Sequence, residues 1–345
     1  MPGWNSVLQE INRKQADGRR SVDLVRRSYL SRLQKYTGRN VIAYYSGWLS
    51  RPPQTPNLEI GDDDKNGFMT AVHKLDRNKG LDLILHTPGG NIAATESLVD
   101  YLWKIFNRDI RVVIPQIAMS AGTMIACSAK SILMGKQSNL GPIDPQIGGV
   151  AAQAVLDEFQ MATESIAQNP NSAPLWQSII GKYHPTFLLE CMQAIEWSRE
   201  MVQSWLRDNM FAQDDNSSHK AAVAVKVLGD HSGTKTHSRH ISMATCQGIG
   251  LIVEELEADN KLQDLVLTIH HAYMHTFSQT QAIKIVENHK GIATVMMEGI
   301  PQINQPFVLH PAQNMQPIQL PRNHVHSNQQ QQVEEKNVVD QKQPQ

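Results

Sequence analysis

LDLILHTPGGNIAA, residues 81–94, runs from a short apolar segment through a Pro-Gly-Gly turn straight into helical spacing. Leu81–Leu85 reads as a strand, His86–Gly90 as a turn and Ile92–Phe106 as a helix. The same grammar returns thirty residues on, in RVVIPQIAMSAGTMIACSA, residues 111–129. There Arg111–Pro115 is a strand and Ala121–Ala129 is helix-like, with Ser131–Met134 a third strand. Strands alternating with helices predict an α/β fold with parallel strands.

Working outward, NVIAYYSGW at 40–48 reads as a further strand, leading into a Pro-rich connection at Arg51–Pro56. Asp62–Asp64 forms an N-cap cluster for a helix over Gly67–Arg77. Val7, Leu8 and Ile11 share a helical face that Val22, Leu24, Val25, Tyr29, Leu30 and Leu33 continue after Gly18. The basic face beside them (Arg19, Arg20, Arg26, Arg27, Arg32, Lys35) is either solvated or open to an acidic partner. Beyond the strands a mostly helical half follows, with Val150–Ala167, Phe187–Phe211, Ser217–Leu228, Met243–Gly248 and Asp259–Ser278 around a short apolar GLIVEEL at 250–256. From Gln302 to Gln345, 17 of 44 residues are Gln or Asn, a composition too poor in apolar surface to offset ordering entropy, so disorder is expected there.

Composition narrows the function. The 345 residues carry 32 Lys+Arg against 33 Asp+Glu, a net charge of -1 that argues against binding nucleic acid by phosphate neutralisation. Three cysteines, Cys127, Cys191 and Cys246, match neither a zinc knuckle nor a disulfide framework. No apolar run reaches the ~18 residues of a membrane span, and the N-terminus lacks a signal-peptide core. A cytoplasmic location is the expectation. No GxGxxG follows a strand, so neither a dinucleotide site nor any other cofactor is expected. His231, His237 and His240 have no zinc spacing, and His270, His271 and His275 lack an HExxH context and a third ligand, so no metal site is expected.

Two places carry chemistry. Gly89 and Gly90 permit backbone conformations that a Cβ resists, and they stand just before a helix start, where free amides favour an anion. Paired amides at such a turn are what an oxyanion hole requires; the alternative is an ordinary strand-to-helix turn. Ser120, in Met119-Ser120-Ala121-Gly122, stands at a strand-to-helix junction with small neighbours, the logic of a nucleophile elbow without the G-x-S-x-G signature, or else a helix cap.

TPGG, then about thirty residues, then a strand and MSAGT, resembles the proteolytic subunit of Clp protease and signal peptide peptidase A, both of the ClpP/crotonase superfamily. LGPIDPQIGG, residues 140–149, looks like the serine dehydrogenase proteinase family within that group, and the resemblance covers roughly residues 40–260. It implies stacked β-β-α units, with an N-terminal helical extension over 1–39, a peptidase domain over 40–280 and a C-terminal extension over 281–345, disordered from about 302. By the same resemblance Ser120 is the nucleophile of a serine endopeptidase acting on polypeptides. The amides of Gly90 and Ala121 form its oxyanion hole, and Gly89 shapes the turn.

A Ser hydroxyl needs a base. The Clp-type histidine has no counterpart in Leu140–Pro145, whereas peptidase A-type enzymes use a lysine ahead of a long helix. Lys182, 62 residues after Ser120, fits that place, and Ile179, Ile180, Tyr183 and Phe187 would desolvate it toward a neutral pKa. His184 is a second choice of base or a helix cap. Asp144 orients a base or a substrate amide, or caps a turn between two prolines. His86 lines the site or is structural. Fold relatives assemble into rings, so a homo-oligomer is expected, while an ATPase partner is not written in the chain. Two rival readings are a catalytically inactive scaffold and a crotonase-type acyl-CoA enzyme, the second disfavoured by MSAGT.

Overall fold

Every residue of Leu81–His86, strand β2, is buried, as expected of a strand covered on both faces. The computed structural model describes residues 3–15, 21–229 and 238–299. Within it β2 is the middle of a seven-stranded sheet. Parallel to it lie β1 (Asn40–Ser46) and β3 (Ile110–Ile114), with Tyr44 opposite Leu85 and Leu83 opposite Val112. Beyond β3, β5 (Ser131–Met134) and β10 (Val253–Glu255) extend the parallel set. The crossovers are α3 (Asp62–Val72), α4 (Ile92–Phe106) and α5 (Ala121–Cys127), which pack on one face. Helices α2 (Ser21–Thr37) and α11 (Asn260–Gln279) cover the other. Strand β1 shows the alternation: Ile42 and Tyr44 join the first face, Val41, Ala43 and Tyr45 the second.

A small second sheet holds β4 (Ile117–Ala118), β6 (Asn139–Leu140) and β9 (Ile241–Ser242). β3 and β5 are each followed by a short strand in this second sheet, and β3–β4–α5 makes a β-β-α unit. This is the α/β class with β-β-α units that the sequence predicts.

Several boundaries move for identifiable reasons. Helix α3 begins at Asp62 and ends at Val72, because Asp64 sits inside its first turn and accepts the Gly61 amide at 2.9 Å; the acidic run opens the helix rather than preceding it. Strand β1 stops at Ser46, and at Gly47 a Cβ would fall 2.8 Å from the Phe277 ring. The N-terminal segment contributes α1 (Trp4–Gln15) and α2. Past a hairpin of β7 (Gln146–Ile147) and β8 (Val150–Ala151) come α6 (Ala152–Gln168), α7 (Ala173–Ile180) and α8 (Phe187–Trp205). The first half of α8 packs on α6 in a satellite core of Ala152, Val155, Phe187, Cys191 and Ile195. Its second half, with Met201, Val202 and Trp205, enters the main core beside α9 (Ser217–Leu228).

Residues 281–299 hold two strands that the sequence pattern does not announce. Strand β11 (Ala282–Asn288) pairs antiparallel with β1, and β12 (Ala293–Met297) with β11, so the sheet continues past residue 280. A buried cluster pins the N-terminal helix there: Arg26 Nε and Arg27 Nε donate to Glu287 at 2.8 and 2.9 Å, and Tyr273 donates at 3.0 Å. The expected disorder from Gln302, and His231 and His237, lie outside the described residues.

Candidate active site

Between β4 and α5 the chain turns within one residue. Ser120 has φ 50° and ψ −115°, a conformation that costs a residue with a Cβ about 1–3 kcal/mol and persists only where surroundings enforce it. The enforcement is visible. Gly122 donates to Met119 O at 2.7 Å, and Thr123 Oγ1 ties α5 to Ala118 O (3.1 Å) and Gly141 O (2.9 Å). Gly122 has no alternative, since a Cβ there would sit 2.6 Å from Thr87 Cγ2. The Ser120 hydroxyl caps nothing in α5, and the residue is half-buried at the C-terminal edge of the parallel strands, where open α/β sheets place their sites.

The glycine turn lies against this serine. Gly89 has φ 105°, and a Cβ on it would stand 2.7 Å from Ser120 Cβ, 2.8 Å from Met119 O and 3.1 Å from Ala121 N. Gly90, at φ 154°, runs beside Ile60 so closely that a Cβ would meet Ile60 N at 2.3 Å. Ile60 N donates to Gly89 O (2.7 Å) and Asn91 N to Ile60 O (2.9 Å), a short parallel bridge. Asn91 then caps α4 by accepting Ala94 N at 2.9 Å. Among the described residues the amides of Gly90 and Ala121 have no acceptor. A cleft of about 420 Å³ opens beside the turn, lined by Trp48, Pro53, Pro56, Leu58, Glu59 and Pro88.

Ser120, Gly89, Gly90 and Ala121 therefore come together. Lys182 lies in the turn after α7 with its side chain exposed, and among the described residues no hydrogen bond or ion pair joins it or His184 to Ser120. The apolar neighbours expected to desolvate it are present, but no residue of α7 is buried, so Ile179 and Ile180 are themselves half in solvent. His184 is exposed beside Phe187, its Nε2 4.0 Å from Glu190. Asp144 is buried and lines a small cleft with Gln153, Ile195, Ser198 and Arg199 at the foot of the α6–α8 lobe.

His86 faces away from Ser120. It alternates with Leu85, which packs toward α5, and joins Tyr45, Trp48 and His270 on the opposite face. Its Nδ1 lies 3.2 Å from Ile117 O, supporting the strand that leads to the serine, while Nε2 is buried without a partner among the described residues. Burial lowers its pKa to about 4, so the ring is neutral near pH 7. His270, His271 and His275 sit on α11, where burial lowers the pKa of all three, and the His275 ring lies 3.8 Å from that of Trp4 of α1, tilted by 38°. Sequence reasoning missed Thr87, whose Oγ1 accepts Gly89 N–H at 3.2 Å; it stands inside the quoted stretch but carries no motif of its own.

The site thus combines a strained serine at a strand-to-helix elbow with two amides that have no acceptor among the described residues. Residues 56–289 match the ClpP-like SDH-type serine proteinases, and the chain belongs to that family. It is 26% identical over 224 residues to the uncharacterized protein MJ0137 of Methanocaldococcus jannaschii, a match covering 65% of this chain and 69% of that one. It is also 29% identical over 193 residues to the uncharacterized protein MJ1495 of the same organism, covering 55% and 58% respectively. No helix among the described residues is long and apolar enough to cross a membrane.

Proposed function

We propose that the chain is a serine endopeptidase that hydrolyses polypeptides through Ser120. The observation that carries this is the approach of the glycine turn to the elbow, which leaves the amides of Gly90 and Ala121 without an acceptor among the described residues, beside a strained serine. Ser120 Oγ attacks the peptide carbonyl carbon, the carbonyl oxygen takes the negative charge and the two amides stabilise it. Lys182 Nζ accepts the serine proton and returns it to the leaving amine; water then releases the acyl group. A lysine does this near neutral pH only when desolvated. Lys182 reaches that state when α7 and its following turn are covered in a homo-oligomer, which accounts for a helix of mean apolar character with no buried residue. The exposure of Lys182 in the single chain favours one rival, a scaffold that keeps the fold without turnover.

The test is incubation of the full chain with an unfolded protein substrate and mass spectrometry of the products, at concentrations on either side of assembly followed by sedimentation. New peptides from the wild type, absent with Ser120→Ala of equal assembly, support the peptidase. Intact substrate at every concentration supports the scaffold.

A further inference from the structure

The glycine turn is gripped from both sides, and both grips end on the same pair of buried charges. On one side Gly89 N–H donates to Thr87 Oγ1 at 3.2 Å, the Thr87 hydroxyl lies 3.5 Å from Gly89 O, and it stands beside the Tyr44 phenol. Tyr44 donates in turn to Asp64 Oδ2 at 2.9 Å. On the other side, Ile60 holds Gly89 O and Asn91 N, and the residues flanking Ile60 are fixed by the same groups. Gly61 N–H donates to Asp64 Oδ2 at 2.9 Å, and Lys284 Nζ donates to Glu59 O at 2.6 Å. Lys284 Nζ also lies 3.0 Å from both Asp64 oxygens, with hydrogen-bond geometry to Oδ2 alone. Tyr44, Asp64, Thr87 and Lys284 are each at most 2% exposed.

These groups come from four separate elements: Tyr44 from β1, Asp64 from α3, Thr87 from the end of β2 and Lys284 from β11. A buried ion pair is weak support for stability by itself, because desolvation offsets attraction, and such pairs are best attested where they fix one register against another. This one has a register to fix. Burial keeps the Tyr44 phenol protonated, its pKa well above 10, so it donates to Asp64. The Gly89 amide thus rests on Thr87, whose hydroxyl lies between Gly89 O and the Tyr44 phenol, and the Tyr44 proton goes to a carboxylate whose charge Lys284 balances. Thr87 also touches the elbow: its O accepts Met119 N–H at 3.0 Å, and its methyl fills the space that Gly122 leaves.

We infer that the buried Lys284–Asp64 pair is the positioning group of the glycine turn, setting the Gly90 amide against that of Ala121 through Tyr44 and Thr87 on one side and the Glu59–Gly61 segment on the other. Resting on the peptidase reading of Ser120, this makes Lys284, Asp64, Tyr44 and Thr87 positioning residues that touch no substrate. They act on the transition state, whose oxyanion feels the amide positions, and leave ground-state binding alone. Losing an oxyanion donor outright costs about 100–1,000-fold in kcat, and a displacement near 1 Å costs about 100-fold.

The experiment uses the full chain and a peptide cut by the wild type, measuring kcat, KM and the affinity for a tripeptidyl aldehyde, which mimics the tetrahedral state at Ser120. Thr87→Val keeps the shape and removes the hydroxyl; kcat and aldehyde affinity should both fall by about 30–100-fold with KM within about 2-fold. Thr87→Ser, which keeps the hydroxyl, should restore both. Tyr44→Phe should lose about 10-fold or more in the same two quantities, and Lys284→Gln should add little to Tyr44→Phe in the double variant, because both act on one turn. Fluorophosphonate labelling of Ser120 separates this idea from its premise. A folded wild type that neither labels nor cuts peptide overturns the peptidase reading and the positioning role with it. A wild type that labels and cuts, alongside Thr87→Val and Tyr44→Phe variants with wild-type kcat and aldehyde affinity, overturns the positioning role alone. Equal losses in Thr87→Ser and Thr87→Val also overturn it, since they would trace to the methyl packed on Gly122.

Discussion

Gly89→Ala is the single methyl group most informative about the site. At φ 105° an alanine lies outside the left-handed helical well, which costs about 1–3 kcal/mol. The new Cβ would start 2.7 Å from Ser120 Cβ and 2.8 Å from Met119 O. Ordinary carbon contacts are about 3.5 Å, so the turn and the elbow must separate by about 0.8 Å. Neither neighbour can yield by rotating a side chain, because one is backbone and the other is fixed to the strained Ser120. Overpacking of this kind costs about 1–3 kcal/mol, giving a total loss of about 2–6 kcal/mol in urea denaturation. The chemical effect should be larger. Parting the turn from the elbow moves the Gly90 amide away from Ala121, and a shift approaching 1 Å costs about 100-fold in rate. Denaturation and peptide hydrolysis should be measured on the same preparation. A variant within about 0.5 kcal/mol of wild type and equally active would refute the packing of the turn on the serine.

Other expectations rest on the buried titratable groups. Burial lowers His86 from an ordinary 6.5 to about 4, so the unfolded chain takes up a proton there that the folded chain refuses. Stability should therefore fall as pH drops from about 6.5 to 4 and level off below, His86 contributing roughly 3 kcal/mol of the loss at ~1.4 kcal/mol per unit. His270, His271 and His275 are displaced in the same direction. His86→Gln should thus narrow, without closing, the gap between urea midpoints at pH 7 and pH 4.5; an unchanged gap counts against a buried neutral His86. Glu287→Gln leaves Arg26, 1% exposed, with its buried countercharge removed, and should cost about 3–5 kcal/mol. Because its arginine neighbours hold the Glu287 carboxyl below its usual range, the wild-type contribution is present above about pH 4.3 and disappears as pH falls through the lower folded value. A Glu287→Gln protein as stable as wild type at pH 7 would mean that the cluster does not hold α2 to the sheet.

The parallel sheet was readable because its strands are buried on both faces: Leu81–His86 and Ile110–Ile114 stand out as short apolar runs between helical spacings. Gly89, Gly90 and Ser120 were readable as candidates from two glycines before a helix start and a serine amid small residues, but each alone also fits an ordinary turn or cap. That they work together was implied by the family resemblance, and the structure supplies the close contact of Gly89 with Ser120. Strand β11 escaped because AIKIVEN alternates a buried lysine, a buried glutamate and a buried asparagine with its apolar residues. In a sequence, Lys284, Glu287 and Asn288 look like a solvated edge. Only the fold supplies Asp64, Arg26 and the Ala71 carbonyl, 2.6 Å from Asn288 Nδ2, as partners from more than 200 residues away. Lys182 marks the limit from the other side. Its apolar neighbours are legible in the sequence, but whether they bury it depends on what covers α7, which no periodicity encodes.

The central claim is that Ser120 is a nucleophile activated by Lys182. Reaction of the full chain with a fluorophosphonate probe, followed by peptide mass spectrometry, tests it on wild type, Ser120→Ala and Lys182→Ala. The account predicts a single modified peptide containing Ser120 in the wild type, none in Ser120→Ala, and none or a trace in Lys182→Ala. A correctly folded and assembled wild type that stays unlabelled would contradict the nucleophile, and a Lys182→Ala protein labelled at the wild-type rate would contradict the base.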